Sequence, residues 1–174
     1  MKKITIVCSL VFLTATLSAQ GILERIDESN TWFKLGPNVA LPLGDLGNIT
    51  TFAAGVDLSV QFLETRSSGI GLKAGYLNYF GDGNLEDVGI IPLAVLYRYY
   101  PKSSGLFAGL EAGYALISNV PTIDGGAFFR PQLGIHTDHW NFFAYYDYIA
   151  LEAVGISDLS SVGLAATYNI RFDK

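Results

Sequence analysis

The sequence predicts an all-β protein, an eight-stranded antiparallel up-and-down transmembrane β-barrel. Three observations carry this. Eight segments alternate apolar residues with polar or small ones at period two, the signature of strands with two unlike faces. The apolar row of every segment is free of charge, while the opposite row sets single charges among glycine and alanine. The connections alternate in length and in charge. Mean hydropathy is +0.33, yet no apolar run beyond the N-terminus reaches the roughly 20 residues a membrane helix needs. Hydrophobicity spread over alternate positions is what a barrel facing lipid requires.

The chain of 174 residues opens with Lys2 and Lys3, an apolar run from Ile4 to Leu17, and Ser18-Ala19 before Gln20. Residues 1–19 are therefore expected to be a secretory signal peptide. The single cysteine, Cys8, lies in that run, so cleavage removes disulfides, thiol catalysis and thiolate metal sites together. Residues 20–32, "QGILERIDESNTW", are the most charged stretch and are expected to be a periplasmic leader. The barrel is expected over 33–174, a length that suits one domain. The formal charge is −5 with no basic cluster, which argues against nucleic acid as a partner.

The strands follow in order. Phe33–Leu43 sets Phe33, Leu35, Val39, Leu41 and Leu43 against Lys34, Gly36, Asn38 and Ala40. "FAAGVDLSVQF", Phe52–Phe62, alternates without exception and places Asp57 and Gln61 on its polar row. Ile70–Phe80 sets Ile70, Leu72, Ala74 and Tyr76 against Gly71, Lys73 and Gly75. Gly89–Tyr100 sets Ile91, Leu93, Val95, Tyr97 and Tyr99 against Pro92, Ala94, Arg98 and Tyr100, with Ile90 and Leu96 as exceptions. Gly105–Ile117 sets Leu106, Ala108, Leu110, Ala112, Tyr114 and Leu116 against Gly109, Glu111 and Gly113. Gly126–Thr137 sets Phe129, Leu133 and Ile135 against Arg130, Gln132, Gly134 and His136. Trp140–Leu151 sets Trp140, Phe142, Tyr146 and Tyr148 against Asn141, Tyr145 and Asp147. Val162–Phe172 sets Val162, Leu164, Ala166, Tyr168, Ile170 and Phe172 against Gly163, Thr167, Asn169 and Arg171.

A soluble lipocalin-like barrel would reverse this polarity, with an apolar cavity and a charged exterior. A soluble sandwich would carry many charges on its outer face. The apolar rows are therefore assigned to lipid, and the lumen polar cluster is predicted as Lys34, Asp57, Lys73, Arg98, Glu111, Arg130, Gln132, Asp147 and Arg171. A carboxylate inside such a lumen calls for a close cation. Asp57 is expected to pair with Lys73 on the neighbouring strand, and Glu111 and Asp147 to flank Arg130.

The first, third, fifth and seventh connections, "GDLGNITT", "GDGNLEDV", "SNVPTIDGG" and "EAVGISDLSS", are longer and purely acidic, whereas "ETRSSG", "PKSSG" and "DH" are shorter. Outer-membrane barrels have short periplasmic turns and longer external loops, so both termini are expected in the periplasm. Lys34, Arg98, Arg171 and His136 then gather near the periplasmic mouth. Two interfacial girdles follow: Phe33, Phe62, Tyr99, Trp140 and Phe172 below, and Phe52, Phe80, Tyr114, Phe129 and Tyr148 above. "SSGIGLKAGY" and "SSGLFAGLEAGY" form a faint repeat that keeps Lys73 and Glu111 on matching inward positions.

This pattern resembles the small eight-stranded outer-membrane β-barrel proteins of the OmpX, OmpW and OmpA-transmembrane-domain type, over essentially the whole chain after residue 19. The resemblance implies a location in the outer membrane of a Gram-negative bacterium and outer-membrane lipid around a monomer. It also implies recognition by the barrel-assembly machinery through the last strand, "VGLAATYNIRF", with Tyr168 and Phe172 as the assembly signal; here Asp173-Lys174 follow the phenylalanine. No catalytic constellation, metal site or cofactor motif is expected, since His136, Asp138 and His139 share one tight turn without a nearby serine. Three roles are weighed: a structural or surface-interaction barrel with a side-chain-filled polar lumen, a narrow channel for small solutes, and, last, a lipid-modifying enzyme.

Overall fold

The computed structural model describes residues 31–62, 67–83, 85–102, 104–120, 124–151 and 158–171, with the side chain of Arg171 excepted. The expected signal peptide, most of the leader, and Phe172 lie outside them. Eight strands follow one another: β1 Trp32–Leu43, β2 Thr50–Phe62, β3 Ser68–Gly81, β4 Val88–Tyr99, β5 Gly105–Ser118, β6 Gly125–His136, β7 Trp140–Leu151 and β8 Leu159–Arg171. Each pairs antiparallel with its neighbour, and β1 pairs with β8 to close the barrel. One 3-10 turn, Gly44–Asn48, joins β1 to β2.

Several strands run a little further than the apolar alternation marks. Trp32, expected in the leader, pairs with both Gln61 and Arg171, and Thr50 and Gly81 pair above the last apolar row. Ladder bonds are made by the backbone and need no apolar side chain, so pairing persists into polar residues and the connections shorten. The odd connections remain the longer set.

Alternation sorts the side chains as the sequence predicts. The outer row is exposed or half-buried, with Leu106 at 64 % and Leu133 and Leu164 at 63 %, and none of its residues is charged. The inner row is buried apart from several of its glycines. The core therefore sits in the lumen, and it is more aromatic than expected: Tyr79, Tyr100, Phe107, Phe128, Phe143 and Tyr145 all lie inside it. At the end of the longer loops, Leu46 of the 3-10 turn folds over this core and is buried; its carbonyl accepts the Thr50 hydroxyl at 2.8 Å.

Candidate functional site

An eight-stranded barrel is only wide enough for inward side chains to fill, so charges from different strands must meet. At mid-height, Lys73 Nζ on β3 stands 3.0 Å from Asp57 Oδ1 on β2 and 2.7 Å from Glu111 Oε2 on β5. From β6, Arg130 Nη1 lies 3.2 Å from Asp57 Oδ2 and 3.8 Å from Glu111 Oε2. Its Nε donates to Asp147 Oδ1 on β7, and Nη2 to Asp147 Oδ2 at 2.7 Å. The Asp57–Lys73 pair and the Arg130 cluster expected separately thus form one network, because Asp57 and Glu111 each touch both cations. All five residues are buried, Glu111 and Arg130 to 1 % exposure. Each member of the network is compensated by more than one other or by a two-point contact, which is what a buried charge requires.

Rings and amides extend the network. The Arg130 guanidinium lies 4.0 Å from the Tyr145 ring centre and 5.4 Å from that of Phe128. Glu111 Oε1 accepts from Gln132 Nε2, and Gln132 Oε1 from Arg98 Nη2, each at 2.9 Å. Arg98 is held between Phe107 and Phe143, 4.7 and 4.9 Å from their centres, an arrangement that attracts a cation to ring faces. Its Nε and Nη1 meet no hydrogen-bond partner among the described residues. Lys34 Nζ donates to Gln61 Oε1 at 2.5 Å and to the Tyr100 hydroxyl at 3.2 Å.

Lys34, Arg98 and His136 do share one end of the lumen, through Tyr100 and Phe107: the His136 ring packs edge-on to Tyr100 at 4.7 Å. Arg171 belongs to β8, but its side chain is outside the described residues. The inward rings Tyr79, Phe107, Phe128 and Phe143 are what sequence reasoning missed. Their signal was parity alone, since Phe107, Phe128 and Phe143 each stand two residues before an inward Gly109, Arg130 or Tyr145. The two histidines turn to opposite sides of the wall. His136 Nε2–H donates to the Lys102 carbonyl at 3.2 Å, whereas the His139 ring lies 6.0 Å from outward-facing Tyr168. Among the described residues no three His, Cys, Asp or Glu side chains converge as metal ligands.

Space beside the inward glycines is taken up. A Cβ on Gly109 would lie 2.7 Å from Gln132 Cγ and 3.1 Å from Arg98 Cγ, and one on Gly75 would lie 3.1 Å from Asp57 Oδ1. Outside, Phe52 and Phe80 stack at 4.7 Å at the long-loop end. Trp140 packs with Phe142 and Tyr168 at 5.8 and 5.1 Å at the other end. Tyr99, Tyr114, Phe129 and Tyr148 are exposed on the outer row, and Phe33, Phe62 and Phe80 half-buried.

The long loops satisfy some of their own acids. Asp87 Oδ1 accepts the Gly81 amide at 3.0 Å and Oδ2 the Asn78 side chain at 2.9 Å. The Asn78 bond, followed by the Gly81 amide, holds the Asp87 carboxyl below the ordinary carboxylate range. Asp158 repeats the device, accepting the Leu151 amide at 3.1 Å and the Tyr148 hydroxyl.

No protein-family model matches the chain, and no curated protein matches it by sequence. Solved structures do match its fold. The chain is similar to Neisserial surface protein A (NspA), with a TM-score of 0.57 and 14 % identity over 86 % of this chain and 100 % of that one. It is similar to Ail, the attachment invasion locus protein of Yersinia pestis, with a TM-score of 0.54 and 14 % identity over 83 % of this chain and 100 % of that one. A de novo designed transmembrane β-barrel matches with a TM-score of 0.52 and 10 % identity, over 83 % and 99 %. At such identities the likeness concerns the fold, which is that of the small eight-stranded outer-membrane barrels.

Proposed function

We propose that this chain is an integral outer-membrane β-barrel of a Gram-negative bacterium, monomeric, with both termini in the periplasm. Its lumen is a structural plug, and its role is to stabilise the envelope or to present its acidic loops at the cell surface. The observation that carries this reading is the inversion of solvents: an exposed outer row without charge surrounds an interior of buried ions. Water would favour the opposite arrangement, whereas hydrocarbon favours this one. The fold shared with a Neisserial surface protein and with an attachment invasion locus protein supports a surface role by analogy. The aromatic ends of the outer row serve as interfacial girdles, and Tyr168 with Phe172 forms the signal read by the barrel-assembly machinery.

The plug is favoured over a narrow channel by the buried charges at mid-height, the filled space beside Gly75 and Gly109, and Leu46 over the long-loop mouth. A catalytic role is not proposed, because His136 is committed to a backbone carbonyl and to ring packing. The chain refolded in detergent should migrate differently on a gel before and after boiling, with β-rich circular dichroism before it. Protein that stays soluble without detergent and shows no shift would overturn the membrane assignment. In planar bilayers it should show no steady openings; openings whose conductance changes in Arg130→Met would replace the plug by a channel.

A further inference from the structure

The ladders that close the wall are not uniform. Pairs β1–β2, β4–β5, β5–β6 and β7–β8 run unbroken, and β2–β3 shifts only near its long-loop end. Each of the other three omits two successive rungs at mid-strand and resumes in the same register, so no residue has been inserted. In β8–β1 the gap covers Gly36 and Pro37, between Leu35↔Tyr168 and Asn38↔Ala165. In β3–β4 it covers Ile91 and Pro92, between Ala74↔Leu93 and Leu77↔Ile90. In β6–β7 it covers Arg130 and Pro131, between Phe129↔Tyr148 and Gln132↔Tyr145. A proline has no N–H, so the ladder its nitrogen faces loses a bond. The other flank of each proline stays paired, through Pro37↔Val56, Pro92↔Ala115 and Pro131↔Leu110. Three proline seams therefore divide the wall into panels β1–β3, β4–β6 and β7–β8.

Lumen side chains cross every seam. Lys73 with Glu111, and Arg130 with Asp57, join the first panel to the second. Tyr79 to Ser161 at 2.8 Å, and the Tyr145 hydroxyl to the Val39 carbonyl at 3.3 Å, join the third to the first. The Arg130–Asp147 pair joins the second to the third. By register these two residues face each other on one of the rungs the β6–β7 ladder omits.

We propose that the ionic network is a clasp that substitutes for backbone bonds missing at the β3–β4 and β6–β7 proline seams, and that β7–β8 is the panel that loosens when Arg130 and Asp147 part. With two strands against three in each of the others, this panel is the smallest. An apolar groove of about 770 Å³, lined by Leu133, Ala144, Tyr146, Val162, Leu164 and Val39 among others, runs across its outer face and onto the neighbouring strands. The inference needs the closed barrel but not its membrane assignment.

Hydrogen exchange followed by mass spectrometry on the refolded full chain tests it, with Asp147→Asn, Pro131→Ala and the double variant. Asp147→Asn should speed exchange in β7 and β8 by about tenfold or more while β4 and β5 keep parental protection, since local opening exposes only the loosened unit. Pro131→Ala supplies the missing N–H and should slow exchange there, returning the double variant close to the parent. Uniform acceleration around the barrel, or a Pro131→Ala effect of the same size with and without Asp147, would overturn the clasp. If Asp147→Asn does not refold, Pro131→Ala alone decides: slower exchange confined to β6–β8 supports the seam, and unchanged exchange overturns it.

Discussion

Tyr145 lies across Gly163, where a Cβ would come within 2.2 Å of its ring, and the opposite face of that environment is Arg130 at 4.0 Å. One glycine thus sets the position of a ring that in turn shields the central cation. Gly163→Ala, whose Cβ would also lie 2.6 Å from the Val39 carbonyl, should push the ring off this seat and break its bond to Val39, at a cost of about 1–3 kcal/mol in urea unfolding in micelles; a variant as stable as its parent would mean that both the ring and the β1 backbone have room to move. At this scale the sequence was partly legible. Parity placed Asp57, Lys73, Glu111, Arg130 and Asp147 on one row each, and neighbouring strands made Asp57–Lys73 the natural pair. The bridging of both cations by Asp57 and Glu111 was not legible, because it depends on stagger across the lumen. The burial of Phe107, Phe128 and Phe143 was missed because each is apolar on an otherwise polar or small row and was assigned to neither face, although its parity turns it inward.

At the scale of elements, eight strands could be read from alternation, and their errors lie at the ends, where pairing outlasts hydrophobicity. The loop clasps were invisible in sequence, since Asp87 and Asp158 look like ordinary solvated acids until the strand ends turn amides toward them. Asp87 is held below its ordinary value of 3.8. Its clasp is therefore fully present above the unfolded value and is lost as pH falls through the lower folded one. The Asn78 side-chain amide resonance should accordingly shift with a midpoint below 3.8; a midpoint at or above that value would show that the carboxylate does not hold the loop. Asp87→Asn should remove the transition altogether and leave the strands of the barrel paired.

For the whole molecule, the decisive property is that its exterior is less polar than its interior. Leu164 is 63 % exposed in the middle of β8, and on the membrane reading it sits among acyl chains. Leu164→Arg should then cost about 2–4 kcal/mol near the bilayer midplane, measured as a lowered urea midpoint in lipid vesicles. A midpoint equal to the parent's would place Leu164 away from hydrocarbon. The same substitution at an exposed site of a soluble protein would cost little, so this variant separates the two solvents directly.

Period-two alternation and charge asymmetry determined, by themselves, the number of strands, the face on which the charges lie and the preference for a barrel over a sandwich, because those properties follow from local geometry and from composition on each face. The tertiary structure decided which charges meet, that rings and a 3-10 turn fill the remaining space, and where prolines interrupt the wall. Those outcomes depend on register between strands distant in sequence, and a period of two carries no information about register. The ion network meets the β3–β4 and β6–β7 proline seams only once the sheet has closed.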